Sequence, residues 1–205
     1  FGDWKNKILM VSDDEDGATY FVHTEQVAAR IENDYPWMNI NKVHSDSYVQ
    51  ESTPGGERYP DVYDEVKAKV QEGVMAVNYI GHGGEVGWAE ERFLDLGMVN
   101  NLSNSTHLPI FMTATCEFSR FDDPDRTSAG ELLVLNAQGG AIAMFTTWRL
   151  VYAGPNLTMN KKFYDTVFKM DVNGVPQTLG SIYAGTKNSY ATAGASENGR
   201  KFGLL

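Results

Sequence analysis

The sequence predicts a single α/β domain, residues 1–205, built on a parallel sheet with helices on both faces. Three observations support this prediction. Continuous apolar runs of strand length recur along the chain, segments of helical period separate them, and polar or glycine-rich loops follow where the runs end. The chain has 205 residues, of which 42% are hydrophobic, enough for one sizeable core.

Five strands are predicted, at residues 7–12, 40–44, 74–80, 109–115 and 141–147, and all but the second are apolar runs. These runs are continuous rather than alternating, which is typical of parallel strands buried on both faces. The longest apolar run, at 139–145, is strand-sized and too short to span a membrane.

Helical spacing between the strands predicts helices near residues 23–34, 59–72, 95–102, 128–135, 157–168 and 179–190. Pro60 is compatible with the first turn of the second helix, and Gly73 ends that helix. Strands that alternate with helices form a sheet that is covered on both sides.

The composition excludes several classes of function. Acidic residues outnumber basic ones by 27 to 17, which gives a formal net charge of −10 and argues against nucleic acid as a partner. Cys116 is the sole cysteine, so neither an internal disulfide nor a cysteine-based zinc site can form. We expect no cofactor, and His23, His44 and His107 lack the spacing of metal ligands.

Cys116 and His82 directly follow the fourth and third predicted strands. Neighbouring parallel strands end at the same edge of a sheet, where α/β proteins bind their ligands, so the two side chains are expected to meet there. A thiolate is a strong nucleophile, and a nearby imidazole can generate it. Either residue alone is more often structural, but the pair indicates a nucleophile and its general base.

Glycines surround the histidine at positions 81, 83 and 84 and let the backbone approach a substrate closely. The N–H groups of Gly83 and Cys116 are therefore predicted to form an oxyanion hole.

Trp148 and Arg149 follow the fifth predicted strand at the same edge of the sheet. They are candidates for lining a substrate cleft. For Trp148, ordinary packing in the core explains the position equally well.

Segments 78–83 and 113–117 resemble the gingipain family of caspase-like cysteine peptidases. Within that family, the chain is most similar to the sortase branch of the type IX secretion system of Bacteroidetes. Supporting segments cover most of the chain from Lys7 onward, at 52–61, 87–89, 121–124 and 147–152.

The resemblance implies a caspase-like α/β/α sandwich around a mostly parallel six-stranded sheet, in which His82 and Cys116 are the catalytic dyad. It also implies that an acidic residue after the first strand, best matched by Asp13, orients the histidine. The implied activity removes C-terminal signal domains from secreted proteins at the bacterial cell surface, on the extracellular face of the outer membrane. A thioester on Cys116 would pass to an anionic lipopolysaccharide or to water, with other secretion-system components as partners.

Some alternatives stay open. Family members are longer, so the chain is expected to be a fragment of a larger protein with a truncated closing strand. The acidic loop at 13–17 is compatible with a solvated loop or a calcium site, and Glu85 or Glu117 could steer the imidazole instead of Asp13. A catalytically silent scaffold and a calcium-binding interaction domain are the competing functions.

Overall fold

Within the residues that the structure describes, eleven strands make up the sheets. The structure is a computed structural model that describes residues 2–192 and 196–205. The strands are β1 (Lys7–Ser12), β2 (Asn39–His44), β3 (Glu51–Thr53), β4 (Gly56–Arg58), β5 (Ala76–Ile80), β6 (Gly83–Gly84), β7 (Gly87–Trp88), β8 (Leu94–Asp95), β9 (Ile110–Ala114), β10 (Ala143–Thr147) and β11 (Phe202–Leu204).

The described residues also form seven α-helices, most of which connect strands of the main sheet. They are α1 (Thr19–Asp34), α2 (Pro60–Glu72), α3 (Leu96–Asn100), α4 (Ala129–Leu135), α5 (Ala153–Val167), α6 (Leu179–Thr192) and α7 (Ser196–Gly199). Local sequence explains several of their ends. Pro60 begins α2, Gly73 ends it with a φ of 99°, and a capping box between Ser128 and Glu131 begins α4. Among the described residues, no helix has the length and apolar character needed to cross a membrane.

Six strands form the central sheet in the order β11-β10-β9-β5-β1-β2, and all neighbours are parallel except β10 and β11. This confirms the predicted fold class. The chain moves outward from β1 to β2, returns to β5 on the other side of β1, and continues to β9 and β10. The direction in which successive strands are added to the sheet thus reverses between β1 and β5. In α/β proteins, a crevice forms at such a point beyond the carboxyl ends of the strands, and ligands bind in it.

Two hydrophobic layers sandwich this sheet. Successive side chains of a strand point to opposite faces, so Leu9 and Val11 pack into one layer while Ile8 and Met10 pack into the other. The first layer contains the buried faces of α2, α3 and α4, and the second contains those of α1, α5 and α6. Burial on both faces explains why the inner strands β1, β5, β9 and β10 are largely apolar.

The structure contains the predicted elements, some of them longer than predicted, and several additional short strands. All five predicted strands and six helices are present, but α1 begins at Thr19 and α5 at Ala153, four residues before their predicted starts. Residues 202–204 form a short antiparallel edge strand where a truncated closing strand was expected. The hairpin β3–β4 and the small sheet β6–β7–β8 were not predicted, because their two- and three-residue strands are too short to show a period.

Candidate active site

His82 and Cys116 occupy equivalent positions beyond two adjacent strands. β5 and β9 pair in parallel, and Ile80 lies opposite Ala114 at the end of the ladder. Each candidate residue is two positions further along its own strand. Neighbouring strands lie about 4.8 Å apart, so the two backbones emerge side by side at the edge that also carries the end of β1.

The loops that carry the two residues touch each other. A methyl group built on Gly83, the residue after His82, would lie 2.6 Å from the Oγ1 atom of Thr115, the residue before Cys116. Only a glycine allows this approach of the two loops. A substitution at Gly83 would therefore push the histidine loop away from the cysteine loop.

The thiol of Cys116 is half-buried and lies against the backbone of Val151. Its Sγ atom is 3.5 Å from the Val151 N–H, which donates to it, and 3.6 Å from the Val151 carbonyl oxygen, which accepts from it. Glu117, the next residue, has a φ of 50°, a left-handed conformation that is uncommon for a residue with a side chain. This sharp turn ends the extended backbone of β9 at the cysteine.

The imidazole of His82 is held by Asp16 and Tyr20. Its Nε2 atom is 3.1 Å from Oδ2 of Asp16 and 3.2 Å from the hydroxyl of Tyr20, which itself donates to Asp16 over 2.9 Å. An ionised carboxylate only accepts, so Nε2 carries a proton and Nδ1 is the basic nitrogen of the neutral ring. The ring also packs against the edge of Tyr20, with centroids 5.4 Å apart.

Tyr20 connects the histidine with the cysteine electrostatically. Burial is the largest cause that raises the pKa of its phenol, followed by the hydrogen bond to Asp16. The charges of Asp13 and Cys116 act in the same direction. The Tyr20 hydroxyl thus contacts the imidazole of His82 directly.

Asp13 holds the backbone of His82 rather than its ring. This fully buried carboxylate accepts the His82 N–H at Oδ2 over 2.8 Å and the Asp14 N–H at Oδ1 over 3.0 Å. The expected hydrogen bond from the imidazole is therefore replaced by one from the main chain, because β1 ends beside the backbone of the histidine loop. Burial raises the pKa of Asp13 to about 6, although the His82 N–H acts in the opposite direction.

The carbonyl of His82 is fixed as well. Tyr79 donates its hydroxyl to this oxygen over 2.6 Å and lies 3.4 Å from Oδ2 of Asp13. Its ring is fully buried and stacks on Trp88, with centroids 4.4 Å apart. The main chain of the candidate base is thus clamped at both its N–H and its carbonyl group.

The predicted oxyanion donors depend on the direction of two N–H groups. Ala89 donates its N–H to the His82 carbonyl, so Gly83 and Trp88 form a non-hydrogen-bonded pair of the β6–β7 ladder. The Gly83 N–H therefore points away from β7. This orientation leaves it available as a donor, as its predicted role requires, while the role itself stays a prediction together with that of the Cys116 N–H.

Trp148 and Arg149 follow β10 near the cysteine loop. The Arg149 carbonyl accepts the Glu117 N–H over 3.4 Å, which places this backbone next to Cys116. The Arg149 guanidinium forms a two-pronged ion pair with Asp122. The Trp148 ring packs over Gly203 and against Phe121, so it contributes to packing at the β11 side of the site.

Glu85 and Glu117, the two acids that could have oriented His82 instead of Asp13, contact arginines. Glu85 accepts from Arg120 over 2.8 Å and from Arg126 over 3.1 Å, and Glu117 lies 4.0 Å from Arg120. Within the described part of the chain, the acid that contacts the His82 ring is instead Asp16.

A cavity of about 690 Å³ opens beside His82. Its walls come from the glycine turn after His82, from the β7–β8 connection and from the start of α3, and they include Val86, Ala89, Arg92 and Leu96. The volume is in the range of small-ligand pockets.

Sequence reasoning missed three residues of this site, namely Asp16, Tyr20 and Val151. Asp16 lies in the acidic loop at 13–17, and Tyr20 follows it by four residues at the start of α1. A phenol at the start of a helix can reach back to such a loop, so this spacing could have predicted their contact. Nothing in the sequence marks Val151, which acts through its backbone.

The fold, with a cysteine and a histidine just beyond two neighbouring parallel strands, is the one expected of an α/β cysteine hydrolase. The model of peptidase family C25 matches residues 1–205, and the chain belongs to this family of cysteine peptidases. No curated protein matches the chain.

Solved structures of gingipains share the fold. The crystal structure of the Arg-specific cysteine proteinase gingipain R superposes with a TM-score of 0.75 at 19% identity, over 98% of this chain and 46% of that one. The complex of the pro- and mature domains of RgpB from Porphyromonas gingivalis gives 0.74 at 17% identity, over 97% and 45% of the two chains. The chain thus spans about half the length of the solved structures that it matches.

Replacement of Asp16 by asparagine is expected to lower kcat for peptide cleavage about tenfold and to leave KM unchanged. Asparagine keeps the size but removes the carboxylate that accepts the hydrogen bond from Nε2 of His82. Steady-state kinetics on a peptide substrate measure the effect. Glu15→Gln is the matched control, since it removes an exposed charge from the same loop. A kcat equal to that of the wild type in Asp16→Asn would show that the ion pair does not act in catalysis.

Proposed function

We propose that the protein is a cysteine endopeptidase and transpeptidase of the PorU type, the sortase of the type IX secretion system. It cleaves C-terminal signal domains from secreted proteins at the bacterial cell surface. The observation that carries the proposal is the equivalent placement of His82 and Cys116 after β5 and β9, with their loops in contact at Gly83 and Thr115. The finer assignment rests on the sequence segments that resemble the sortase branch.

Acylation begins at the thiol. Nδ1 of His82 takes the proton of Cys116, and the sulfur attacks the carbonyl carbon that precedes the signal domain. The carbonyl oxygen becomes an oxyanion, which the N–H groups of Gly83 and Cys116 stabilise by about 3 kcal/mol per donor. Collapse of this intermediate breaks the C–N bond. His82 gives the proton to the departing amine, and a thioester remains on Cys116.

The second half of the reaction needs room for an acceptor. The His82 side chain is 47% exposed, so an amine on an anionic lipopolysaccharide can reach it from solvent. The imidazole then takes a proton from this amine, which attacks the thioester and forms a new amide bond. Water in the same position would hydrolyse the thioester instead.

Substrate contacts are proposed on both sides of the thiol. Trp148 and Arg149 lie on the β10 side, where Phe121 and Asp122 support their side chains. The cavity beside His82 lies on the other side and has room for one substrate side chain. Other components of the secretion system would deliver the cargo.

A cleavage reaction with and without an amine tests this proposal. The protein is incubated with a secreted substrate that carries its C-terminal signal domain, in buffer alone or with an amine-bearing anionic lipopolysaccharide. We expect release of the signal domain in both cases. With the amine, we also expect a cargo product that exceeds the hydrolysed cargo by the mass of the acceptor minus that of water. Mass spectrometry of the cargo C-terminus distinguishes the amide from the free acid.

The Cys116→Ala variant is the control for background cleavage. Hydrolysis without any amide product at saturating amine would refute transpeptidation. Cleavage of unstructured peptides, with the signal domain left intact, would refute the sortase assignment and leave a general peptidase.

A further inference from the structure

The cavity of about 690 Å³ beside His82 is walled by a single stretch of the chain. In the part of the chain that the structure describes, all of its lining residues come from segment 82–97. They include His82 but neither Cys116 nor the two residues that follow β10, Trp148 and Arg149. The cavity therefore belongs to the histidine half of the site.

The proposed chemistry assigns this half to the leaving group. A general acid acts within hydrogen-bond reach of the atom that it protonates. Because His82 gives its proton to the nitrogen of the scissile bond, this nitrogen and its residue lie at the imidazole, while the acyl part stays on Cys116. In the second half of the reaction, the acceptor amine attacks from the position that the leaving amine has vacated. Both amines therefore pass next to the cavity.

Small and apolar residues form the walls of the cavity. They are glycines at 83, 84, 87 and 97 together with Val86, Ala89 and Leu96. Two charged lining residues, Glu90 and Arg92, are exposed to solvent, whereas Glu91 between them is buried and does not line the cavity. The Asp95 carboxylate accepts the Met98 N–H over 2.8 Å. Apolar walls with a few polar groups are typical of pockets that bind an apolar group.

The turn that forms one wall is held in a fixed shape. Ala89 and Arg92 have φ angles of 53° and 64°, which are uncommon for residues with a side chain. The Ala89 N–H donates to the His82 carbonyl over 3.0 Å, and Trp88 and Phe93 on either side of the turn are fully buried. Strained backbone of this kind persists where the surrounding structure holds it, and it is concentrated at functional sites. The wall is thus preformed and is attached to the candidate base.

We propose that this cavity is the subsite for the residue that follows the scissile bond, and that it selects a large apolar side chain such as phenylalanine or leucine. The proposal rests on the peptidase chemistry proposed above. Removal of such a side chain from water, against Val86, Ala89 and Leu96, supplies the affinity.

The same subsite selects the acceptor, because the acceptor amine enters where the leaving amine departs. Its nitrogen bonds to the acyl carbon, the C–S bond to Cys116 breaks, and His82 takes the proton of the amine. An amine that carries an apolar group is held in the cavity during this step, whereas water is not. The cavity therefore favours amide formation over hydrolysis for such acceptors.

An NMR titration of the ¹⁵N-labelled Cys116→Ala chain tests the subsite without turnover. The probes are the tripeptide amides Phe-Ala-Ala, Gly-Ala-Ala and Asp-Ala-Ala with free amino termini, which have the form of leaving products. We expect the Phe peptide to bind at least about tenfold more tightly than the other two and to shift the amide signals of residues 83–89. Equal affinities, no binding at millimolar concentrations, or shifts confined to the neighbours of Trp148 would overturn the proposal.

Gly84→Leu and Gly180→Leu, each in the Cys116→Ala chain, form a matched pair. A Cβ atom on either glycine would meet no atom within 4 Å, but only Gly84 lines the cavity, whereas Gly180 lies in α6. Leucine at position 84 fills the cavity, so the affinity for the Phe peptide should fall at least about tenfold while that for the Gly peptide stays within about twofold. Gly180→Leu should change neither. Wild-type discrimination in a folded Gly84→Leu protein would contradict the proposal.

Val86→Asp provides a second variant if Gly84→Leu does not fold. Val86 is 51% exposed, so the fold tolerates a charge there, and the same loss of affinity for the Phe peptide is expected. Val172→Asp makes the same change at a fully exposed position outside the cavity and is its control. An unchanged affinity in Val86→Asp would overturn the proposal.

Acyl transfer by the wild-type protein separates this subsite from the proposed function. Phenylalanine amide and glycine amide are offered at equal concentrations as acceptors in the cleavage reaction described above. We expect transfer to phenylalanine amide to exceed transfer to glycine amide at least about tenfold, as measured by mass spectrometry. Equal transfer would contradict the subsite alone, since the thioester has formed. A protein that binds the Phe peptide in the cavity but cleaves no substrate would refute the proposed function while the apolar binding site remains.

Discussion

Replacement of Cys116 by alanine is expected to lower kcat for peptide cleavage by about 10⁴-fold or more while the fold stays intact. Cys116 is the only cysteine of the sequence, so no other thiol can replace it as nucleophile. The variant loses one sulfur atom and its two contacts with Val151 at a half-buried position, which we expect to cost about 1 kcal/mol of stability. Steady-state kinetics and thermal unfolding, measured on the same preparation, separate the two effects.

Cys116→Ser is the control for size and polarity. Its hydroxyl is a poorer nucleophile than a thiolate, so this variant should also be nearly inactive and as stable as the wild type. Full activity in either variant would exclude Cys116 as nucleophile. It would then be a packing residue beside the second hydrophobic layer, with which it is in contact.

Gly81→Ala is expected to destabilise the protein by about 2–3 kcal/mol. A methyl group at this position would collide with Cβ of Asp13 and lie 2.5 Å from the hydroxyl of Tyr79. Both residues are fully buried and cannot easily move, and both hold the backbone of His82. The substitution should therefore reduce peptide cleavage as well as stability.

Gly84→Ala is the matched control for this substitution. It lies three residues away in the same loop, and a methyl group there would meet no atom within 4 Å. Its free energy of unfolding, measured with urea, should stay within about 0.5 kcal/mol of the wild-type value. Equal destabilisation by both substitutions would mean that the loop tolerates no side chain for reasons unrelated to Asp13 and Tyr79.

The sequence was sufficient to predict the central sheet and the placement of its candidate dyad. The inner strands β1, β5, β9 and β10 are largely apolar on both faces, because they are buried on both, and this produces recognisable runs. His82 and Cys116 each stand directly after such a run, so their shared edge follows from the parallel arrangement of β5 and β9.

The remaining contacts depend on geometry that no sequence period encodes. Asp16 reaches a histidine 66 residues away from a left-handed backbone position with a φ of 58°. It is one of four consecutive acidic residues at 13–16, and the run itself gave no reason to prefer it over Asp13. Glu91 follows another glutamate in a polar segment, and only the fold buries one of the two. The strands β6, β7 and β8 have two residues each, which is only a single repeat of the strand period and too short to recognise.

The most direct test of the cysteine peptidase assignment is covalent labelling of the native protein with a peptidyl acyloxymethyl ketone. This reagent modifies a thiolate that has a neighbouring imidazole much faster than an ordinary thiol. Intact-protein and peptide mass spectrometry would locate the adduct and give its rate of formation. The dyad predicts a single adduct on Cys116, formed at least about a hundredfold faster in the wild type than in His82→Ala. Equal rates in the two proteins, or no adduct on the native wild-type protein, would contradict it.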